Sequence, residues 1–337
     1  MDLGTFITTV YVEIDDWYKE QVREMKPRRG RPPIMSDSEV LTLAVVGQWR
    51  VGVPWQSERG LIRFAHQHLK SMFPTLLERS AFNYRVRQLY GVLVRLQQYL
   101  AQKLRRRTDL YECVDCIDLP AYTLGHGKRQ KTHWFWFSAT KGWARGGWFI
   151  GHKLLMGVDR SGAVTGWVIG AGHMQDRWLL EGLLSARNGC PQVVEPKRRI
   201  KSGQRGHTPP PAGFLGGWTA AGLQTACPYL ADKGFNGKRW STHWRRYNAT
   251  VISPPVINAK NEPLWTRSER KAFAGHRQII ETVFARLVTV FRLKSHQTHS
   301  ISGLLARMAA ITVAYNTALY INRQLNRAAG ELVTLIC

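Results

Sequence analysis

Acidic side chains are scarce in this chain of 337 residues: 23 Asp and Glu stand against 48 Lys and Arg, a formal charge of +25. A soluble protein with such an excess repels its own copies and is drawn to polyanions. Nucleic acid leads among these, ahead of anionic lipid or a generally basic proteome. The basic residues are interleaved with Trp, Tyr and His rather than gathered in one tail. Cysteine is also sparse, with five residues, an odd number. A disulfide framework is therefore not expected, and a reducing compartment is.

Long uncharged apolar runs are missing too. The longest apolar stretch, ISGLLARMAAITVAYNTALYI (301–321), contains Arg307 and Asn316 and reads as a buried amphipathic helix, so no membrane span is expected. The opening residues MDLGTFITTVYVEIDDW carry acids early and no basic segment, unlike a signal peptide. Cys113 and Cys116 form a CxxC with no partner motif at zinc-site spacing. The pair reads as small apolar strand residues, with zinc as the alternative. No internal repeat is visible.

What is present falls into three parts. Residues 1–108 read as a helical region. KPRRGRPPIM (26–35) is a basic, Pro-rich stretch, suited to an A·T-rich minor groove or to a stiff linker. Ser36-Asp37-Ser38-Glu39 then forms a capping box ahead of VLTLAVVGQW. From residue 109 the pattern turns β-like: LYECVDCIDLPAYTL (110–124), then two β runs around the turn Asp159-Arg160-Ser161-Gly162. A helix follows at 176–187 with Asp176 as N-cap, then a basic Gly/Pro-rich loop (195–218). Next come the strand of YLADKGFNG (229–237), a helical KRWSTHWRRY and a short strand at 249–253. A long helix is predicted from about Ser268 to about Lys294, with Gly275 as a point of interruption. Residues 299–337 carry the last helix. Strands followed by alternating β and α units predict a mixed sheet flanked by helices.

Three acids stand where chemistry needs them. Asp115 lies in the first strand, Asp232 where a later strand leaves the core, and Glu281 beside the apolar stripe of the long helix. Carboxylates converging from two strands and a helix would make a hard oxygen site for Mg²⁺ or Mn²⁺. Two such ions, roughly 3.5–4 Å apart, serve phosphoryl transfer. Each acid also has an ordinary reading: Asp232 as a turn cap, Glu281 as a helix pair with Arg277, Asp115 as a plain strand acid. Asp118 competes with Asp115; on a regular strand the two point to opposite faces.

Taken in order, these motifs resemble the DDE transposases of bacterial insertion sequences, which have an RNase H-like catalytic core. GRPPIMSDSEVLTLAVVGQWRVGVPW (30–55) is similar to their N-terminal segment and VDCIDLPAY (114–122) to the strand of the first Asp. GHKLLMGVDRSGAVTGWVIGAGHMQD (151–176) is similar to the hairpin that follows, LADKGFNG (230–237) to the second-Asp motif, and RQIIETVFARLVTVFRL (277–293) to the Glu helix. The resemblance implies an α/β fold: an RNase H-like mixed sheet flanked by helices (109–298), a helical DNA-binding N-terminal region (1–108), and a C-terminal helix packing on the core. It implies Asp115, Asp232 and Glu281 as a catalytic triad binding two Mg²⁺ or Mn²⁺ ions. Lys153, Lys233 and Arg277 become DNA contacts, the last two beside the acids. Asp115 is preferred over Asp118 because a small residue and then a Pro follow it, as Cys116 and Pro120 do here. Many relatives carry a Tyr three residues before the Arg and a Lys seven after the Glu, where this chain has Ala274 and Val288.

The implied activity is metal-dependent cleavage at transposon terminal inverted repeats and strand transfer into target DNA, by a homodimer in the bacterial cytoplasm at the nucleoid. The alternatives are an RNase H-like nuclease without strand transfer and a DNA-binding protein that has lost catalysis.

Overall fold

The computed structural model describes residues 1–22, 33–122, 139–144, 147–188, 217–220, 228–255, 265–298, 300–332 and 335–336. The basic stretch at 26–32 and most of the loop at 195–218 lie outside them. The chain forms two compact units: Met1–Leu104 with Ala285–Cys337, and Arg105–Phe284.

The first unit holds the helices α1 (Leu3–Gln21), α2 (Asp37–Val46), α3 (Glu58–His68), α4 (Arg79–Gln88) and α5 (Tyr90–Leu104), together with a C-terminal helix at Ile301–Gln324. The predicted capping box starts α2: Glu39 N–H donates to Ser36 Oγ at 3.2 Å, and Ser36 N–H to the Glu39 carboxylate at 2.6 Å. Asp37, also in that first turn, is buried and accepts from Tyr18 and Arg85, both at 2.5 Å. Trp49 packs edge-on between Phe6 and Phe291, with ring centroids 5.0 Å away on each side. The expected amphipathic stripe on the C-terminal helix is replaced by burial all round: every residue from Met308 to Leu319 is buried. Its main packing partners are α5, α2 and α4. A helix this uniformly apolar and small-residue-rich suits the middle of a helical bundle better than one face of a sheet. It is also the one described helix long and apolar enough to cross a membrane, with most of that stretch buried inside the protein.

The second unit is built on a mixed sheet. Its strands are β1 (Glu112–Tyr122), β2 (Thr140–Ala144), β3 (Gly147–Asp159), β4 (Val164–Ala171), β5 (Gly217–Ala220), β6 (Tyr229–Leu230) and β7 (Val251–Ile252). The order is β5-β4-β3-β1-β6-β7, with β2 also paired to β3. The β1–β3, β3–β4 and β4–β5 pairs are antiparallel, and β1–β6 and β6–β7 are parallel. The hairpin between β3 and β4 turns at Gly162 (φ 88), whose left-handed backbone favours glycine. The helices are α6 (Asp176–Asn188), α7 (Lys238–Arg245) and α8 (Arg267–Thr289), and the C-terminal helix above is α9. This is the mixed α/β architecture, a sheet flanked by helices with a helical N-terminal region, that the sequence predicts, and it is consistent with an RNase H-like fold.

One face of the sheet carries Val114, Leu155, Val168 and Tyr229 into a core with Leu180 and Leu184 of α6 and Trp240 and Trp244 of α7. The other face meets α8, where the Cys113 thiol donates to the His276 carbonyl at 3.4 Å. Helix α8 starts at Arg267, as the sequence reading expects, and ends at Thr289, earlier than expected. Thr266 and Glu269 form an unpredicted capping box at its start, with reciprocal bonds of 3.2 and 2.7 Å. It runs unbroken through Gly275 and stops before Lys294. There Leu293 N–H reaches back to the Leu287 carbonyl at 3.0 Å, with Arg292 left-handed at φ 50. That bond reaches back six residues and the turn is made without glycine, so no local residue announced it.

Candidate active site

Asp115 and Asp232 are brought together by strand pairing. In the parallel β1–β6 pair, Glu112 stands opposite Tyr229 and Cys113 opposite Leu230. Two residues further along the same register, Asp115 is level with Asp232, on the face that Cys113 shares. Beyond Leu230 the chain leaves β1, and Ala231 N–H bonds instead to Ile252 of β7 at 2.9 Å. Asp232 thus sits at the strand exit, as YLAD predicts, beside an acid of the central strand.

Asp232 also caps the 3₁₀ turn Lys233–Phe235, its carboxylate accepting from Gly234 N–H. The capping and site readings are compatible. A Cβ at Gly234 would come within 2.8 Å of the Asp232 carboxylate, so a larger residue there would push that carboxylate aside. Sequence reasoning missed Arg177, which locks this turn. Its Nε donates to the Gly234 carbonyl at 2.5 Å and its Nη2 to the Asn236 carbonyl at 2.8 Å, while its guanidinium lies 5.3 Å from the Trp240 ring centre. Nothing local in Asp176-Arg177 announces a partner 57 residues away.

Arg277 of α8 reaches Asp115, Nη2 to carboxylate oxygen at 2.8 Å. The Cys116 N–H donates to the other oxygen at 2.8 Å. Burial nevertheless pushes Asp115 up to about 6; Arg277 and the Cys116 N–H oppose this, and the nearby Asp232 and Asp176 reinforce it. Like charges crowd this rim.

The geometry separates Asp115 from Asp118. Asp115 faces α8 and Arg277, whereas Asp118 points to the opposite face, its register partner being Lys153. Lys153 Nζ pairs with Asp176 at the start of α6, 2.8 Å away. Lys233 is exposed on the turn after Asp232. Glu281 lies one helical turn beyond Arg277 and is exposed, next to the buried Ile280. Among the described residues no three His, Cys, Asp or Glu side chains gather closely enough to hold a metal. The structure therefore unites Asp115, Asp232 and Arg277 and leaves Glu281 outside that group.

The zinc alternative for Cys113 and Cys116 fails on direction. Cys113 faces α8, while Cys116 lies on the Asp176 side, where burial holds its thiol well above the usual range. Burial likewise pushes Cys113 up to about 12, so neither is poised as a thiolate.

A divalent cation fits the donor set in chemistry: two carboxylates side by side, one of them disfavoured as an anion chiefly by burial, are hard oxygen ligands that a cation would relieve.

Residues 218–317 match the family model of the transposase DDE domain. The match takes in Asp232, Arg277 and Glu281 and stops short of β1 on its N-terminal side. No curated protein and no solved structure matches the chain. The match spans 218–317 of the 337 residues and is what that part of the chain is similar to. The match is consistent with the DDE transposases of insertion sequences.

Proposed function

We propose that this protein is the DNA transposase of an insertion sequence, acting on double-stranded terminal repeats and target DNA through Asp115, Asp232 and Glu281. The observation that carries the reading is the β1–β6 register, which levels Asp115 with Asp232 at the strand exit. The family match over the segments of Asp232 and Glu281 supports it.

Asp115 and Asp232 would hold the metal, with Glu281 completing the set from α8. One or two Mg²⁺ or Mn²⁺ ions, when bound, would supply charge neutralisation at the reacting phosphate and a more acidic attacking oxygen. The protein's own groups supply position. Arg277 fixes the Asp115 carboxylate, and Arg177 fixes the turn that presents Asp232. Lys233, exposed beside Asp232, is placed to meet a backbone phosphate. In the proposed reaction, water displaces a 3′-oxygen at the transposon end. The freed 3′-hydroxyl then displaces a target-strand oxygen in line. The basic chain keeps both DNA segments close to the acids. Two ends must be held at once, which a homodimer in the cytoplasm at the nucleoid would do.

Replacing Asp232 with Ala tests this on the full chain, with a DNA carrying the element's own ends and a target plasmid. The variant should lose Mg²⁺-dependent cleavage and keep DNA binding; full cleavage would sink the assignment. Wild-type products that are cut but never joined would make the protein a nuclease on the same core.

A further inference from the structure

The first unit contains a cavity of about 580 Å³ lined by five arginines, Arg50, Arg59, Arg79, Arg87 and Arg307, with Glu58 as its sole acidic lining residue. Its walls come from α2, α3, α4 and α9 and the segments flanking them, so N- and C-terminal parts of the chain build it jointly. The volume is that of a small-molecule or nucleotide-unit site.

The arginines are not neutralised from within. Among the described residues none of the five is ion-paired: the nearest acid, Glu58, accepts instead from Asn83 at 2.9 Å. Arg50 is 4 % exposed and donates to the carbonyls of Gly47 and Trp49, which carry no net charge. The buried Nε of Arg307 has no hydrogen-bond partner among the described residues. Burial brings both guanidinium groups down to about 10; for Arg50 the charges of Arg307 and Arg292 add to the effect, and Glu58 opposes it for both. Holding uncompensated cations together in a half-closed space is costly, and a fold that needed only packing would place apolar residues there. The cost is offset when an anion enters. Guanidinium forks match phosphate oxygens in pairs, and several forks around one space suit a phosphate better than a single carboxylate.

We infer that this cavity is a phosphate-binding site of the first unit, built to take a phosphate group either from a nucleic-acid backbone or from a free phosphate or nucleotide. The backbone source rests on the proposed function; the phosphate chemistry does not. The site is distinct from the acids of the second unit, and its occupancy needs no metal.

The test compares the wild-type chain with Arg307→Met in EDTA, where cleavage is silent. One arm measures affinity for a labelled DNA duplex over a salt series. The other measures melting temperature with inorganic phosphate or pyrophosphate. If the backbone fills the site, Arg307→Met binds duplex about tenfold more weakly, its salt slope flattens by roughly one phosphate contact, and its own melting temperature does not drop. If a free phosphate fills it, the anion raises the melting temperature of wild type and not of the variant, while duplex affinity is unchanged. Equal duplex affinity together with an equal anion response in both proteins overturns the inference. Should Arg307→Met fail to fold, Arg87→Gln, half-buried on the α4 wall of the same cavity, takes its place with the same readouts. Because only binding is read, failure here leaves the acid site standing, and failure of Asp232→Ala leaves this site standing.

Discussion

Strand β1 carries Glu112 and Asp115 on opposite faces, and each meets an arginine from a helix. Glu112 is 2 % exposed and bonds Arg187 at 2.7 Å, with Thr165 donating to the same oxygen. Arg187 in turn bonds Thr165 at 2.8 Å and Tyr229 at 3.2 Å. This is a closed cluster with no room for a ligand. Asp115 has one arginine, one backbone N–H, a side chain 26 % exposed and two further acids close by. The same chemical pair is a rivet on one face and an incomplete site on the other. What separates them is not the arginine but the enclosure: Glu112 is sealed between Arg187 and Thr165, whereas Asp115 stays partly exposed level with Asp232 at the strand exit.

The comparison breaks first at Arg187. Changing it to Leu strands the Glu112 carboxylate in the core and should cost about 3–5 kcal/mol, read as a lower midpoint in chemical denaturation. By contrast, Asp115→Asn removes a crowded charge and should leave that midpoint unchanged or raise it. A smaller effect is expected at Gly157, where an added Cβ would meet Arg187, Glu112 and Thr165 all at 3.1 Å. Gly157→Ala should lose about 1–3 kcal/mol, because none of the three clustered groups has space to yield.

Asp159 sharpens the contrast from within the closed face. It stands opposite Glu112 in the β1–β3 register and is 2 % exposed. Ser161 and Ala163 donate to one of its oxygens. Burial still pushes it up to about 6, with Asp109 and Glu112 adding to the rise. The folded state thus holds a proton more tightly than the unfolded chain, whose Asp titrates near ~3.9. Ionised Asp159 lowers stability above about pH 6, and that loss is recovered as pH falls towards ~4. Asp159→Asn should therefore gain roughly 2 kcal/mol over wild type at pH 8 and nothing at pH 4, seen in denaturation midpoints at the two values. The smallest effect belongs to Lys233: Lys233→Ala should leave stability within ~0.5 kcal/mol and weaken DNA binding several-fold, with a shallower salt dependence.

Much of the second unit was legible in the sequence because its signals are local. The turn at Asp159–Gly162, the strand exit at YLAD and the alternation of strand and helix after it each depend on neighbours in sequence. So did the Ser36–Glu39 capping box. Long-range facts were not legible: the Arg177 clamp on the turn after Asp232, the Arg187 rivet, and α9 packing among the N-terminal helices. Asp115 and Asp118 were indistinguishable by composition, and only the position of α8 shows which face carries the site.

The measurement that bears most directly on this account sets Asp115→Asn against Asp118→Asn in Mg²⁺-dependent cleavage of DNA bearing the element's ends, with duplex binding measured alongside. The register and the Arg277 contact predict that Asp115→Asn abolishes cleavage and retains binding, while Asp118→Asn cleaves at near the wild-type rate. Cleavage that survives in Asp115→Asn and is lost in Asp118→Asn would contradict it and move the site to the opposite face of β1.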